Sequence, residues 1–406
     1  MRIYTCTPVE FGGGPDFFAR DSGLLCRGFQ SLGIESHAIM PGASRANDDP
    51  DLIRTNYENL ESASWWQAQK IDALVLYAWG RPKFRKVALA IRRAGIFLIL
   101  NQDNGGFISP LAGWRGWLQE RWIMSGQGAD LSAWLRFFIT TLKEFTHGLL
   151  ITDPLRALHL KQSNVIACVS PQAVDCYRRL CRIYGGPTLA DRVTLIPHAV
   201  ESHFSYHSGP KNRQIVCVGR WDDQIQKRPK MLLRVITRLL EEDPLVSISI
   251  AGSITDEIRL WHSSMRPIDR DRIHLCGAME RSELAALLNR SQIFYSPSAY
   301  ESFGIAAAEA LCCGCSVVGT RSLAMPAFEW FVSENSGTLG EDNVTSHVSV
   351  LLIELKAWDE SKRQPEQISS TWRERLHAPR LAQSIVNMKE QTVSFSSSFA
   401  TNRCYR

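Results

Sequence analysis

The sequence predicts an α/β protein of two consecutive domains of one type, each with a mostly parallel sheet. Its 406 residues suffice for two or three domains. Short apolar runs alternate with helical patterns almost throughout, which is typical of βα units. The polar stretch SYHSGPKNR at 205–213 separates two halves with this alternation and is the predicted interdomain linker. We therefore expect two domains that face each other across a ligand cleft.

The elements follow this alternation from the first residue. The predicted strands of the first half are MRIYTCTP, ESHAIMPG, IDALVLYAW, IFLILN, NVIACVS and RVTLIPHAV, and those of the second half are QIVCVGRW, VSISIAG, RIHLCG, QIFYSPS and CSVVGT. The helical stretches include GGGPDFFARDSGLLCRGFQSLG with its glycine loop, KMLLRVITRLLEEDP, SELAALLNR and FGIAAAEALCC. The expected units are a first domain at 1–205, a second at 206–372, a terminal helix at 373–395 that crosses back to the first domain, and a polar tail at 396–406.

Composition narrows the class of protein. The chain is 45% hydrophobic and 21% charged, which is typical of a globular protein rather than a disordered one. A net charge of +5 does not indicate nucleic acid, although it suits anionic ligands or an anionic membrane surface. The N-terminus does not resemble a secretion signal, and no uncharged apolar run reaches spanning length, so we expect a cytoplasmic protein.

The eleven cysteines predict no metal site. Their number is odd, and Cys312 and Cys315, which have C-x2-C spacing, have no second pair of that spacing to complete a zinc site. The cluster Cys312, Cys313 and Cys315 would lack a fourth ligand. We expect reduced thiols buried in the core.

The stretch SAYESFGIAAAEALCCGCSVVGT, residues 298–320, carries the strongest chemical signal. A strand ends before it, Gly304 permits close approach of the backbone to a ligand, and a helix then begins with its amides directed at the cleft. Free amides and the positive helix end favour an anion or a sugar oxygen. Glu301 and Glu309, with seven residues between them, could hold hydroxyls of a sugar and a ribose. Alternatively, Glu301 caps the helix and Glu309 is solvated.

These residues resemble the signature of retaining glycosyltransferases of family 4, which have the GT-B fold of two Rossmann-like domains facing each other across a cleft. The match is Glu301-Ser302-Phe303-Gly304, then Glu309-Ala310, then Gly314-Cys315-Ser316-Val317-Val318. The resemblance implies that Glu301 and the backbone of Phe303, Gly304 and Ile305 hold the donor sugar, and that Glu309 holds the ribose.

The resemblance extends to other segments. In VGRWDDQIQKRPKMLL, it implies that Arg220 and Lys227 bind the nucleotide diphosphate, with Arg228 as a competitor for the second place. The loop that includes Met279 would lie against the base. In the glycine run 12–14, Gly13 would face the donor phosphates. His198 replaces a family asparagine, and we assign it no role beyond packing or capping.

One departure from the family concerns the donor sugar. Many members have a histidine after the fourth strand, where this chain has ILNQDNGG. Asp103 could accept a sugar hydroxyl there, or these residues could simply form the loop. The transferred sugar is therefore left open.

Tryptophans alternate with arginines in GWRGWLQERW, where Trp114, Trp117 and Trp122 accompany Arg115 and Arg121. This pattern suits a bilayer interface, a sugar-stacking surface or plain domain packing. Peripheral membrane contact through residues 114–122 is therefore one of three open interpretations.

The expected activity is retaining transfer of a hexosyl unit from a nucleotide diphosphate sugar, such as a UDP or GDP sugar, to an acceptor hydroxyl. The acceptor would be a glycan, a lipid-linked glycan or a small molecule, in polysaccharide or glycoconjugate synthesis. The resemblance implies no essential metal, and the nucleotide sugar is a co-substrate rather than a cofactor. We expect no nucleic-acid partner, and a cytoplasmic location that includes the inner membrane face. The alternatives are a GT-B nucleotide-sugar epimerase and a non-catalytic GT-B subunit.

Overall fold

A computed structural model describes residues 1–126, 131–333 and 335–401 of the protein, with side chains described as far as Gln391. Part of the expected tail at 396–406, including Cys404, therefore lies outside the described residues. Within the described residues, two parallel sheets form separate domains. The predicted α/β class with two domains of one type is confirmed.

The first domain has a sheet of seven parallel strands in the order β3-β2-β1-β4-β5-β6-β7. The strands are β1 (Ile3–Cys6), β2 (Ala38–Pro41), β3 (Leu52–Thr55), β4 (Ala73–Tyr77), β5 (Phe97–Gln102), β6 (Val165–Cys168) and β7 (Val193–Leu195). The central strands are buried along their whole length, as expected of apolar runs covered by helices on both faces.

Helices cover both faces of this sheet. They are α1 (Pro15–Phe18), α2 (Asp21–Gln30), α3 (Tyr57–Leu60), α4 (Ala63–Ala68), α5 (Arg85–Arg93), α6 (Pro110–Met124), α7 (Leu131–His147), α8 (Asp153–Leu160), α9 (Pro171–Gly185) and α10 (Pro187–Ala190). A 3-10 turn at Pro82–Phe84 precedes α5, and a π-helical turn at Gly148–Thr152 joins α7 to α8. Between β5 and β6 the chain therefore makes a long excursion through α6, α7 and α8.

The second domain has six parallel strands in the order β10-β9-β8-β11-β12-β13. The strands are β8 (Asn212–Gly219), β9 (Ser247–Gly252), β10 (Ile273–Gly277), β11 (Ser291–Ser296), β12 (Ser316–Thr320) and β13 (Gly337–Gly340). The helices are α11 (Pro229–Glu242), α12 (Asp256–Ser264), α13 (Pro267–Arg270), α14 (Arg281–Arg290), α15 (Ile305–Cys312), α16 (Phe328–Val332) and α17 (Val344–Asp359).

The C-terminal segment forms two helices where the sequence suggested one across 373–395. They are α18 (Pro365–Leu376) and α19 (Ala378–Thr401). His377 between them is extended and forms an isolated bridge with Val200, so the chain turns before α19, which has Pro379 in its first turn. Helix α19 packs its apolar face, which includes Leu381 and Ile385, into the first domain's core beside α2.

The cysteines lie mainly in the two cores. The ten that fall within the described residues are free thiols, and all of them except Cys276 are buried. Burial raises the thiol pKa of Cys26 and Cys176 to about 11. The expectation of buried, free thiols is confirmed for this part of the chain.

Candidate functional site

A cavity of about 580 Å³ lies between the two domains, at the carboxyl ends of both sheets. The first domain contributes residues before α2, after β5 and after β7, and the second contributes residues after β8 and around the start of α15. Open parallel sheets bind ligands in this position because the loops after the strands converge there. This cavity is the candidate site.

The loop between β8 and α11 supplies the cations of the cavity. Arg220 and Lys227 both line it. Arg220 is largely exposed, with 70% of its side-chain surface accessible, and donates a hydrogen bond to Gln226 Oε1 over 3.1 Å. Lys227 is only 17% exposed. Two sequence-predicted cations are thus on one wall, one largely exposed and one mostly covered.

Glu301 pairs with Lys227. Its Oε1 accepts hydrogen bonds from Lys227 Nζ and, over 2.9 Å, from Ser298 Oγ. Gln226 Nε2 lies 3.2 Å from the other carboxylate oxygen. With 11% of its side chain exposed, Glu301 has one edge available to the cavity that it lines. Lysine and carboxylate are thereby fixed side by side, and each compensates the charge of the other.

The start of α15 forms the floor of the cavity. Phe303, Gly304, Ile305 and Ala306 all line it. The first amides of a helix lack partners inside the helix, so those of Ile305 and Ala306 are available to an anion beside Lys227. Gly304 has φ +91°, and a Cβ there would lie 2.8 Å from the ring of Phe328. Glycine is therefore required both for the backbone conformation and for space.

The opposite wall carries a buried charge cluster that the sequence did not reveal. His198 Nε2 donates to Asp103 Oδ1 over 2.8 Å, and His198 Nδ1 lies 3.4 Å from Asp21 Oδ1. Burial alone lowers the pKa of His198, but the two carboxylates outweigh it and raise the pKa to about 9. Burial would raise the pKa of Asp103, but the charge of His198 and hydrogen bonds lower it. Asp103 Oδ1 also lies 3.5 Å from Ser302 Oγ of the second domain.

This cluster is also the one group of three within the described residues whose ligand atoms lie close enough to hold a metal ion. A metal ion there would have to displace the proton that the two carboxylates favour on His198. The arrangement instead fixes the Asp103 carboxylate at the cavity wall. His198 is packed, as expected, but it also lines the site.

Two other predicted residues lie outside the cavity lining. Glu309 is buried under the floor, where its carboxylate accepts a hydrogen bond from Arg281 Nη2 over 2.7 Å, and burial raises its pKa. Arg228 pairs with Asp342 over 2.5 Å, away from the cavity. Of the two competing basic residues, Lys227 is the one that the structure brings to the site.

The N-terminal glycines and Met279 also differ from the expected placement. A Cβ on Gly13 would lie 2.2 Å from the Leu52 side chain, so this glycine packs against β3 and is not in the lining. Gly12 and Gly14 line a second cavity of about 480 Å³, which shares Arg20 and Asp21 with the first. Met279 is half-buried against the core of the second domain.

Several lining residues were not among the predicted contacts. They are Arg20, Asp21, His198, Gln226 and Ser302. The positive φ of Asp21, +50°, is a structural mark that the sequence does not carry. Ser302 and Gln226 lie inside the ESFG stretch and the segment VGRWDDQIQKRPKMLL, so these two had a signal that could have identified them.

Part of the chain is similar in sequence to known glycosyltransferases. Residues 212–345 match the family model described as "Glycosyl transferases group 1". A human protein of the phosphatidylinositol N-acetylglucosaminyltransferase complex is 30% identical over 200 residues, which cover 48% of this chain and 39% of the human protein. The gpi3 subunit of the same enzyme from Schizosaccharomyces pombe is 26% identical over 183 residues, 44% of this chain and 39% of that protein. The chain thus spans about two fifths of the length of these curated relatives.

Solved structures resemble the whole described fold. Anabaena Alr3699/HepE in complex with UDP has a TM-score of 0.62 at 13% identity, and the match covers 96% of this chain and 100% of that one. The lipopolysaccharide outer core galactosyltransferase WaaB in its apo form has a TM-score of 0.60 at 12% identity, with 98% and 100% covered. The chain has the GT-B fold of these glycosyltransferases, and the core of its second domain matches the group 1 family model.

Proposed function

We propose that the protein is a retaining, metal-independent glycosyltransferase of family 4 that moves a hexosyl unit from a nucleotide diphosphate sugar to an acceptor hydroxyl. The observation that carries this proposal is the placement of Lys227 and Glu301 beside the first amides of α15, in the cleft between two parallel sheets. Positive charge and free amides suit a diphosphate, and a carboxylate suits sugar hydroxyls. The UDP in the Anabaena HepE complexes supports a UDP sugar over a GDP sugar.

The leaving diphosphate is where this site would contribute most to the rate. Negative charge grows on the diphosphate as its bond to the sugar breaks, so contacts from Arg220, Lys227 and the α15 amides strengthen in the transition state. Arg220 is exposed and able to swing onto the phosphates, whereas Lys227 is already in place. The cations would thus supply charge that other enzymes take from a metal.

The sugar would lie between the two domains. Glu301 accepts hydroxyl hydrogen bonds from the second domain, and Asp103, held by His198, accepts them from the first. In retention without a covalent intermediate, the acceptor hydroxyl attacks from the face that the diphosphate leaves, and the departing phosphate takes its proton. Glu309 and Met279 remain proposed contacts for the ribose and the base. Contact between Glu309 and the ribose would require Glu309 to leave its hydrogen bond with Arg281.

The acceptor would enter from the first domain. Its second cavity, with Trp79, Gly12 and Gly14 in the lining, joins the donor cavity at Arg20 and Asp21. The relatives named for transfer to phosphatidylinositol favour a lipid-linked acceptor over a free glycan or a small molecule. We accordingly place the reaction in glycoconjugate or polysaccharide synthesis at the cytoplasmic side of a membrane.

The test is turnover of UDP, GDP and dTDP sugars by the purified full chain, measured as release of nucleoside diphosphate with and without a chelator. We expect Lys227→Ala and Glu301→Gln each to lower turnover by roughly 100-fold or more, because each removes a charge from the reacting region. Lys230→Ala, an exposed cation in the first turn of α11, is the matched control and should retain full turnover.

The outcomes separate the proposal from its alternatives. Binding of a nucleotide sugar without turnover identifies a non-catalytic protein, and interconversion of the sugar without transfer identifies an epimerase. A product of inverted anomeric configuration, or activity lost with the chelator and restored by a divalent ion, contradicts the retaining, metal-independent mechanism. Absence of both binding and turnover contradicts the whole proposal.

A further inference from the structure

Helix α7 is apolar but almost entirely uncovered. Ala133 is the one buried residue among its seventeen. Leu131, Phe138 and Leu142 are 86%, 62% and 66% exposed, and Leu135 and Ile139 are more than half exposed. More than half of the exposed large apolar side chains in the described residues lie between 111 and 158. A concentration of this size on one excursion of the chain marks an interaction surface, because single exposed apolar residues are normally scattered.

Contacts between α6 and α7 hold this apolar surface in place. Trp122 of α6 packs against Trp134 and Phe137 of α7, with ring centroids 4.6 Å and 5.4 Å apart. The guanidinium of Arg121 holds Glu144 across the same pair of helices. These contacts fix α7 beside α6 and leave its outer apolar face directed away from the domain. An apolar groove of about 310 Å³ runs between the two helices, with Trp114 and Phe138 among its lining residues.

Among the described residues, the charges of this surface that form no ion pair are positive. Each acidic side chain of residues 107–163 that the structure describes is paired with arginine: Glu120 and Glu144 with Arg121, and Asp153 with Arg156. In the same described stretch, four exposed cations form no ion pair, namely Arg115, Arg136, Lys143 and Lys161. Lys83 and Arg85 line a depression that includes the exposed Leu155, together with Lys86, which pairs with Glu61. The apolar face therefore has a cationic rim.

An apolar face with a cationic rim favours one kind of binding partner. A twofold contact with a second copy would place each patch on itself, with cations against cations. No helix of the described residues is both long enough and apolar enough to cross a bilayer. A 17-residue helix with aromatic and aliphatic side chains on its face and arginine and lysine at its edge instead suits the interface of an anionic bilayer, where it would lie flat.

We propose that α7, with the start of α6 and the turn to α8, docks the protein on an anionic lipid bilayer. Of the segment 114–122, for which membrane contact was one of three interpretations, only the start takes part: Trp114 is exposed, whereas Trp117 is buried in the domain core and Trp122 packs between the helices. The far end of α6 reaches the second domain, where Ile123 packs against Ala299 and Ala324. If the chain is the proposed transferase, α6 thus links the lipid surface to the mouth of the cleft, and the acceptor is a membrane lipid.

The test is flotation of the full chain with vesicles of phosphatidylcholine, with or without about 30% phosphatidylglycerol. We expect binding to the anionic vesicles that weakens with salt, and weak binding to the neutral ones. Leu135→Glu, Phe138→Glu and Leu142→Glu together should weaken binding roughly ten-fold or more, since three carboxylates oppose insertion. The matched control carries the same change at three exposed apolar residues of the second domain, Leu245, Leu260 and Ile268, and should bind like the natural chain.

Other results overturn the proposal. These are absence of binding to anionic vesicles, equal binding by both triple variants, or an effect of the α7 variant on oligomeric state with vesicle binding unchanged. Arg136→Ala with Lys143→Ala gives a second check, because it should remove the preference for anionic vesicles without adding charge to the apolar face. Vesicle binding needs no nucleotide sugar. A chain that turns over the donor but does not bind vesicles therefore overturns only the docking proposal. Loss of turnover with intact docking overturns only the proposed function.

Discussion

His198 and Asp103 form an ion pair whose geometry depends on the positions of a few atoms. Each ring nitrogen of His198 lies near a carboxylate, and 2% of the side chain is exposed. The pair fixes the carboxylate that the first domain contributes to the cavity wall after β5.

This pair predicts a pH-dependent contribution to stability. The pKa of His198 rises from 6.5 to about 9 on folding, so its contribution is fully present below pH 6.5 and is lost as the pH rises through 9. We expect His198→Gln to lower the free energy of unfolding by roughly 1 to 3 kcal/mol at pH 6, with the deficit shrinking toward pH 10. Urea denaturation across this range measures it. His274→Gln, at an exposed position, is the control, and a deficit for His198→Gln that does not change with pH would refute the assignment.

The residues of the site differ in whether a sequence motif identified them. Arg220, Lys227, Glu301 and the segment from Phe303 to Ile305 line the cavity, and all lie in one contiguous half of the sequence. His198 and Asp103 are 95 positions apart and meet only because β5 and β7 end at the same edge of the sheet. No local pattern records such a meeting, so the sequence could not identify the pair.

At the scale of elements, the start of α15 is the most demanding part of the second domain. Gly304 combines a left-handed backbone with contact to Phe328, so Gly304→Ala should cost roughly 2 to 4 kcal/mol of unfolding free energy. Gly95 has a similar φ, +81°, but open space around it, and Gly95→Ala should cost only about 1 kcal/mol. Chemical denaturation of both variants checks the difference. Equal costs would mean that the Phe328 contact does not constrain the loop.

The strands missed from the sequence share one physical property. β3 and β13 are both edge strands of their sheets. An edge strand has one neighbour and less burial, and LIRT and GTLG accordingly lack the continuous apolar run that marks the central strands. The central strands were predictable because full burial demands an apolar residue at nearly every position.

At the scale of the whole molecule, the two domains are joined across the cleft and through the C-terminal segment. Gln119 Nε2 donates to Ser322 Oγ over 3.1 Å, and Asp103 lies near Ser302 across the cleft. Helix α18 packs on α15 and α19 packs on α2, so the C-terminal segment connects the two domains a second time. If the chain is the proposed transferase, closure of the cleft would align its donor and its acceptor.

The proposed nucleotide site in the cleft is tested most directly by calorimetric titration of UDP into the natural chain, Lys227→Ala and Lys230→Ala. We predict one UDP bound per natural chain, binding at least roughly ten-fold weaker in Lys227→Ala because a buried charge-assisted contact is lost, and unchanged binding in Lys230→Ala. Failure of the natural chain to bind UDP or GDP would contradict a nucleotide site in the cleft. Equal affinity of the natural chain and Lys227→Ala would contradict its placement at Lys227, Glu301 and the start of α15.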